Sequence, residues 1–181
     1  MTRSKQVLDK KKIAVMLKEL ADQIAGELRG KKHLVLIGIR TRGAILAQRI
    51  QELLKKRLNR NVPLGILDIT LYRDDLSALG SQPVVKPTTL PFDVTGTTVV
   101  LVDDVLFTGR TVRAALDQIV DFGRPACVKL AVLIDRGLRE YPIQPDFVAT
   151  TLQASPNQLV QLHLQELDGE ERVMIVDWKK R

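Results

Sequence analysis

One segment of the sequence combines two adjacent carboxylates with a short turn rich in hydroxyl groups. Asp103 and Asp104 follow the apolar run 97–102, and Thr108–Thr111 (TGRT) lies at the start of a helix predicted over 111–122. A helix N-terminus presents unpaired amides and a partial positive charge, so it receives a phosphate. Two carboxylates upstream suit ribose hydroxyls or Mg²⁺. The spacing predicts a ribose 5-phosphate site; an acidic strand end before an ordinary capped helix is the alternative.

A second candidate loop follows the apolar run 33–39. The sequence GIRTRG (38–43) places Arg40 and Arg42 directly after this predicted strand, where they suit a polyanion. A capped turn with exposed arginines is the alternative. Because ligands of open parallel sheets bind at the carboxyl ends of the strands, both loops are expected at one edge.

The remaining apolar patterns supply the elements that would position these loops. Strands alternating with helices predict an α/β fold, with a mostly parallel sheet, helices on both faces and one domain over 1–181. Helices are predicted over 7–29, 44–58 and 111–122, and strands over 33–39, 64–72, 97–102, 128–134, 146–150, 159–164 and 172–178, the last two joined by a turn at 168–171.

The stretch 73–91 differs in character from its surroundings. It contains three prolines and little apolar periodicity, which indicates a long excursion or hairpin rather than a core element. Long loops of this kind often close over a binding site. We therefore expect a β-hairpin hood over about 72–95, beside a C-terminal strand pair over about 158–178.

Charge and composition narrow the class of protein. The net charge is +7, but residues 1–60 hold 16 Lys/Arg and 5 Asp/Glu, a balance of +11. This asymmetry favours a polyanionic partner, with a solvated helix face as the alternative. One cysteine, Cys127, excludes an internal disulfide, and no apolar stretch reaches membrane-spanning length. A cytoplasmic protein is the expectation. The aromatic content of 4% gives no platform for stacking bases.

The segment VDDVLFTGRTVRA resembles the PRPP (5-phosphoribosyl-1-pyrophosphate) motif of type I phosphoribosyltransferases. It is most similar to that of the PyrR family, regulators of pyrimidine operons that are also uracil phosphoribosyltransferases, although Phe107 stands where the family usually has Tyr. GIRTRG (38–43), LDITLYRDDL (67–76), PFDVTG (91–96) and DFGRPACVKLAVLIDRG (121–137) extend the resemblance over about 7–150. It implies the type I phosphoribosyltransferase fold.

The resemblance also implies roles for individual residues. The loop 41–43 would hold the pyrophosphate of PRPP. Asp103 and Asp104 would contact the ribose hydroxyls, directly or through water and Mg²⁺. The turn Thr108–Thr111 would hold the 5-phosphate. Arg73 would lie at the base of the mobile hood, and Asp104 is the candidate general base. The implied PRPP and UMP set is Thr41, Arg42, Gly43, Asp103, Asp104, Val105, Leu106, Phe107, Thr108, Gly109, Arg110, Thr111 and Arg136, with Asp103 and Asp104 for the metal.

The implied reaction joins uracil to PRPP, giving UMP and pyrophosphate with Mg²⁺. The implied partners are PRPP, uracil, UMP, pyr leader mRNA and further copies of the chain, as a homodimer or larger homo-oligomer, without a membrane. No nucleophilic side chain is needed. Cys127, His33 and His163 lie outside every motif and are interpreted as structural.

The chain departs from the family at the basic face that binds RNA. Leu138, Gln144 and Thr150 replace cationic residues of the family, and Glu19 and Asp22 align where relatives carry Arg and His. Each missing phosphate contact lowers RNA affinity. Arg136, Arg139 and the lysines at 10–12, 31–32 and 55–56 remain. Three alternatives therefore stay open: an enzyme without attenuation, a nucleotide-sensing regulator with little turnover, and, more weakly, a purine phosphoribosyltransferase.

Overall fold

A computed structural model describes residues 4–72 and 85–177, and these form two sheets. The larger sheet is entirely parallel, with strand order β3-β2-β4-β5-β6. The smaller sheet is antiparallel, with order β1-β8-β7. In chain order the elements are β1 (Ser4–Asp9), α1 (Lys10–Leu28), β2 (Leu34–Ile39), α2 (Arg42–Leu58), β3 (Leu64–Leu67), β4 (Thr98–Leu106), α3 (Arg110–Phe122), β5 (Cys127–Asp135), β6 (Phe147–Thr151), β7 (Gln158–His163), α4 (Gln165–Asp168) and β8 (Arg172–Asp177).

Helices cover both faces of the parallel sheet, which confirms the predicted fold class. On one face α1 and α2 pack through buried residues such as Leu20, Ile24 and Ile50. On the other face α3 packs through Val112 and Ile119 against alternate residues of the strands. Each strand therefore contributes apolar side chains to both cores, as its nearly continuous apolar sequence requires.

Local signals in the sequence set the ends of the helices. The Asp9 carboxylate accepts a hydrogen bond from the Lys12 amide at 2.9 Å and caps α1. Helix α2 ends in the basic residues 55–57 and a left-handed Asn59, which suit the negative end of its dipole. Gly123 follows the last residue of α3.

The structure corrects several predicted boundaries. Residues 4–9 form β1, so the first helix begins at Lys10 instead of residue 7. The strand predicted over 64–72 ends at Leu67 and is followed by a short 3-10 turn, Thr70–Tyr72. Asp103–Leu106, predicted as a loop, belong to β4.

The C-terminal strands β7 and β8 pair with each other. Residues 158–163 pair with 172–177, and the short helix α4 lies between these strands. Strand β1 adds to the far side of β8, which sequence patterns did not predict. Half of the predicted hood, 73–84, lies outside the described residues; the described part joins the sheet edge through a bridge between Thr89 and Ile66.

Candidate active site

The loops singled out in the sequence meet at the carboxyl edge of the parallel sheet. They line a cavity of about 350 Å³. Its walls come from the ends of three neighbouring strands: residues 40–42 after β2, 68–70 after β3 and 103–105 in β4, with Thr111 from α3. The two loops therefore lie at the same edge of the sheet, as the sequence predicted.

The loop after β2 lies tightly against β4. A Cβ atom added at Gly43 would lie 2.5 Å from the Val102 carbonyl oxygen and 3.1 Å from the Asp103 Cα. Only glycine allows this approach without a backbone shift. The Arg40–Thr41 peptide bond is cis. Gly43 thus sets the distance between the arginine loop and the two acids.

Asp103 and Asp104 occupy different environments although they are adjacent. Asp103 is 6% exposed, and its carboxylate accepts a hydrogen bond from the Asp104 amide at 3.0 Å. Burial, and then the charge of Asp104, raise the pKa of Asp103 well above its usual value. Asp104 is half-buried and faces the cavity. The pair therefore offers one solvent-facing carboxylate supported by a buried one.

The TGRT turn, Thr108–Thr111, leads into the N-terminus of α3. Gly109 has a φ of +90°, and α3 begins at the next residue, so its first amides have no partner within the helix. The Thr108 carbonyl accepts hydrogen bonds from the amides of Glu140 and Tyr141, both at 2.9 Å. These contacts fix the turn against the segment that follows β5.

Arg42 links this cavity to the C-terminal sheet. Its guanidinium lies 2.9 Å from an Asp168 carboxylate oxygen, and that carboxylate also accepts the Leu164 amide at 2.8 Å. The Leu164 amide first, and then the charges of Arg42 and His163, lower the pKa of Asp168. The buried Arg42 Nε has no hydrogen-bond partner among the described residues. One donor of the Arg42 guanidinium is therefore unsatisfied among these residues.

A second cavity of about 330 Å³ adjoins the first. The two share Arg42, Asp104 and Val105, and the outer wall is β7 over residues 160–163. His163, interpreted from sequence as structural, is thus part of a cavity wall, with its Nδ1 2.8 Å from a Glu170 carboxylate oxygen. No motif marks this strand; it reaches the site only because the two sheets pack together.

Asp68 is a further residue that sequence patterns missed. It is 7% exposed and lines the first cavity. Burial alone would raise the pKa of Asp68, but hydrogen bonds from Thr70 and from the Lys86 amide at 2.6 Å outweigh burial and lower it. Asp68 therefore ties the backbone at Lys86 to the cavity wall.

Several predicted site residues lie beside the cavities rather than in their walls. The Arg136 guanidinium stacks 3.7 Å from the Phe107 ring centroid and donates to the Gln158 and Ser155 carbonyls at 2.7 and 3.3 Å. Leu106 is buried, and Arg110 pairs with Glu140. Arg73 lies outside the described residues, so its role stays a prediction. No helix in the described ranges is both long and apolar enough to span a membrane.

Comparisons with known proteins agree with this geometry. Residues 3–167 match the family described as "Phosphoribosyl transferase domain". The chain is 54% identical to "Bifunctional protein PyrR" of Pelotomaculum thermopropionicum over 98% of both chains. It is 50% identical to the protein of the same name from Thermus aquaticus, over 91% of this chain and 90% of that one.

Solved structures support the fold independently. A hypoxanthine phosphoribosyltransferase of Trypanosoma cruzi matches with a TM-score of 0.71 and 22% identity, over 97% of both chains. A hypoxanthine phosphoribosyltransferase from Staphylococcus aureus matches with a TM-score of 0.67 and 20% identity, over 97% of this chain and 92% of that one. The chain belongs to the phosphoribosyl transferase domain family and, within it, to the PyrR proteins.

Proposed function

We propose that the chain is a uracil phosphoribosyltransferase that also regulates pyrimidine operons by binding pyr leader mRNA when UMP is bound. The observation that carries the enzymatic half is that residues 41–42, 103–104 and Thr111, at the start of α3, line one cavity at the edge of the sheet. These elements offer donors for pyrophosphate, acceptors for the ribose hydroxyls and helix amides for the 5-phosphate.

The two adjoining cavities suit the two substrates. PRPP takes the cavity after β2, β3 and β4, and uracil takes the cavity walled by β7, so that the sugar C1 lies near the residues that both cavities share. Uracil N1 attacks C1, the bond from C1 to pyrophosphate breaks, and the N1 proton is lost. Asp104 faces both cavities, the position that a general base requires. Arg42 supplies positive charge to the leaving pyrophosphate.

The residues present also fit a magnesium ion. Asp103 and Asp104 supply the oxygen ligands that Mg²⁺ prefers. No cluster of three or more metal-binding side chains occurs among residues 4–72 and 85–177, so PRPP and water would complete the coordination. Bound Mg²⁺ would neutralise charge on the pyrophosphate. Arg73 is proposed to add to this charge from the hood.

The relatives named "bifunctional" support the regulatory half and do not favour an enzyme that has lost it or a sensor without turnover. PRPP, uracil and mRNA are found together in the cytoplasm, where we place the protein. We also propose that it assembles as a homodimer or larger homo-oligomer, which light scattering after gel filtration would test.

UMP formation from uracil and PRPP with Mg²⁺ tests the enzymatic half, with hypoxanthine, guanine and orotate as competing bases. We expect turnover with uracil alone. Asp104→Asn should lower kcat/KM by at least tenfold, and Glu52→Gln, an exposed change on α2, should leave it unchanged. PRPP binding without turnover on any base would indicate a regulator without enzymatic activity. Equal loss in both variants would show that the site is misplaced.

A further inference from the structure

A group of cations lies along the amino-terminal edge of the parallel sheet, at the opposite end from the cavities. These residues come from the loop before β2, the end of α2, the loop before β3 and the loop before β5. We call them the amino-edge cluster: Arg29, Lys31, Lys32, Lys55, Lys56, Arg60 and Arg124.

Backbone contacts bring these separate loops into one strip. The Arg60 guanidinium donates to the carbonyls of Lys31 and Lys32, which joins the loop before β3 to the loop before β2. The Thr98 amide donates to the His33 carbonyl at 2.7 Å, and the Gly96 amide donates to the Arg124 carbonyl at 2.9 Å. With strands about 4.8 Å apart, the strip crosses β3, β2, β4 and β5 over roughly 15 Å.

The cluster is unpaired in the described part of the chain. None of its seven members forms an ion pair there, whereas Arg42, Arg49, Arg57 and Lys129 all do. The acids at this edge include Glu52, Asp93 and Asp121, while Glu27 and Asp146 are both engaged by Lys129. Helix-dipole stabilisation accounts for lysines in the last turn of α2 but not for the cations before β3 and β5.

The alternative basic surface is weaker than the sequence suggested. Arg139 is 14% exposed in its side chain and donates to Asp135, to the Phe107 carbonyl and to the Ile143 carbonyl. Arg136 is 4% exposed. Asp22 on α1 is paired with Arg57. The two arginines expected to remain for phosphate contacts are therefore held inside the fold.

We propose that the amino-edge cluster is the surface that binds the phosphate backbone of RNA, an inference that rests on the RNA half of the proposed function. Lysines and arginines in a row give sequence-independent contacts to phosphates, and the low aromatic content leaves little base stacking. Asp104 lies six residues after the first residue of β4, so the cluster lies about 20 Å from the catalytic acids. RNA and PRPP therefore bind at opposite ends of the sheet without competing for space.

Two triple charge reversals with the same change in net charge test this surface. K31E/K32E/K56E removes three members of the cluster, and K10E/K11E/K12E alters three exposed lysines at the other end of α1, about 28 Å away. Each changes the net charge of +7 by −6, to +1. Binding to a pyr leader transcript is measured by gel shift over a range of salt concentrations with UMP present, and UMP formation checks folding.

We expect the cluster variant to bind the transcript at least tenfold more weakly than the control variant. Its dependence of log affinity on log salt should flatten by about 0.7 for each lost contact on single-stranded RNA. As a second measurement on the unaltered protein, RNA should protect Lys31, Lys32 and Lys56 from acetylation. Equal binding by both variants, or equal loss in both, would overturn the assignment. If the unaltered protein does not bind the transcript at low salt, the RNA half of the proposed function fails with it, while UMP formation still judges the enzymatic half.

Discussion

Gly43→Ala should disturb the site through the backbone. The added Cβ would lie 2.5 Å from the Val102 carbonyl oxygen and 3.1 Å from the Asp103 Cα, and neither atom is the end of a flexible side chain. The start of α2 must therefore move away from β4. Overpacking of this kind costs about 1–3 kcal/mol. For a chain of this size Tm falls about 2–4 °C for each kcal/mol, so a decrease of about 2–12 °C is expected.

Movement of the start of α2 in the Gly43→Ala protein also moves Arg42 away from Asp103 and Asp104. KM for PRPP should therefore rise together with the loss of stability. Thermal unfolding and initial rates of UMP formation measure the two effects. Gly26→Ala is the matched control: Gly26 is exposed within α1, nothing lies within 4 Å of its added Cβ, and the change should stabilise the helix by about 0.5–1 kcal/mol. A Gly43→Ala protein with unchanged Tm and unchanged KM for PRPP would refute the close-approach argument.

Three other changes probe the site. Asp103→Asn should leave Tm unchanged or raise it, because burial and the adjacent carboxylate already raise the pKa of Asp103, yet it should lower kcat/KM for PRPP at least tenfold. Arg136→Met leaves two carbonyl groups without their donor, so it should destabilise the protein by about 1–3 kcal/mol in denaturant unfolding. The pKa of Asp168 is lowered by the Leu164 amide and then by Arg42, so its stabilisation is present above the ordinary value of 3.8 and is lost as pH falls through the folded value. Asp168→Asn should therefore flatten the decline of Tm in acid.

Two walls of the first cavity were predictable because each comes from one short segment, 40–42 and 103–105, whereas the wall at 68–70 was missed. A loop directly after a buried parallel strand must lie at the carboxyl edge of the sheet, so strand order alone brings Arg42 and Asp104 together. The type of side chain then indicated the ligand chemistry. The roles assigned to individual residues remain predictions for the assays above.

The second cavity was not predictable in the same way. His163 reaches it through packing between two sheets, and no local spacing records that contact. The interior role of Arg139 also depends on distant carbonyl groups, so its charge alone suggested an exposed contact. The first helix was predicted to begin within β1, at residue 7, because residues 7 and 8 continue the apolar pattern of α1. In all three, contacts between residues distant in sequence determine the structure, and local patterns do not contain that information.

The pairing of β1 with β8 has a consequence for how the protein is made. Ser4 lies opposite Val176, so β1 cannot pair until residues 172–177 have been synthesised. The five parallel strands need only residues up to Thr151 and can assemble earlier. During synthesis the loops that we propose for PRPP would therefore form before β7, the wall that we propose for the base, is in place.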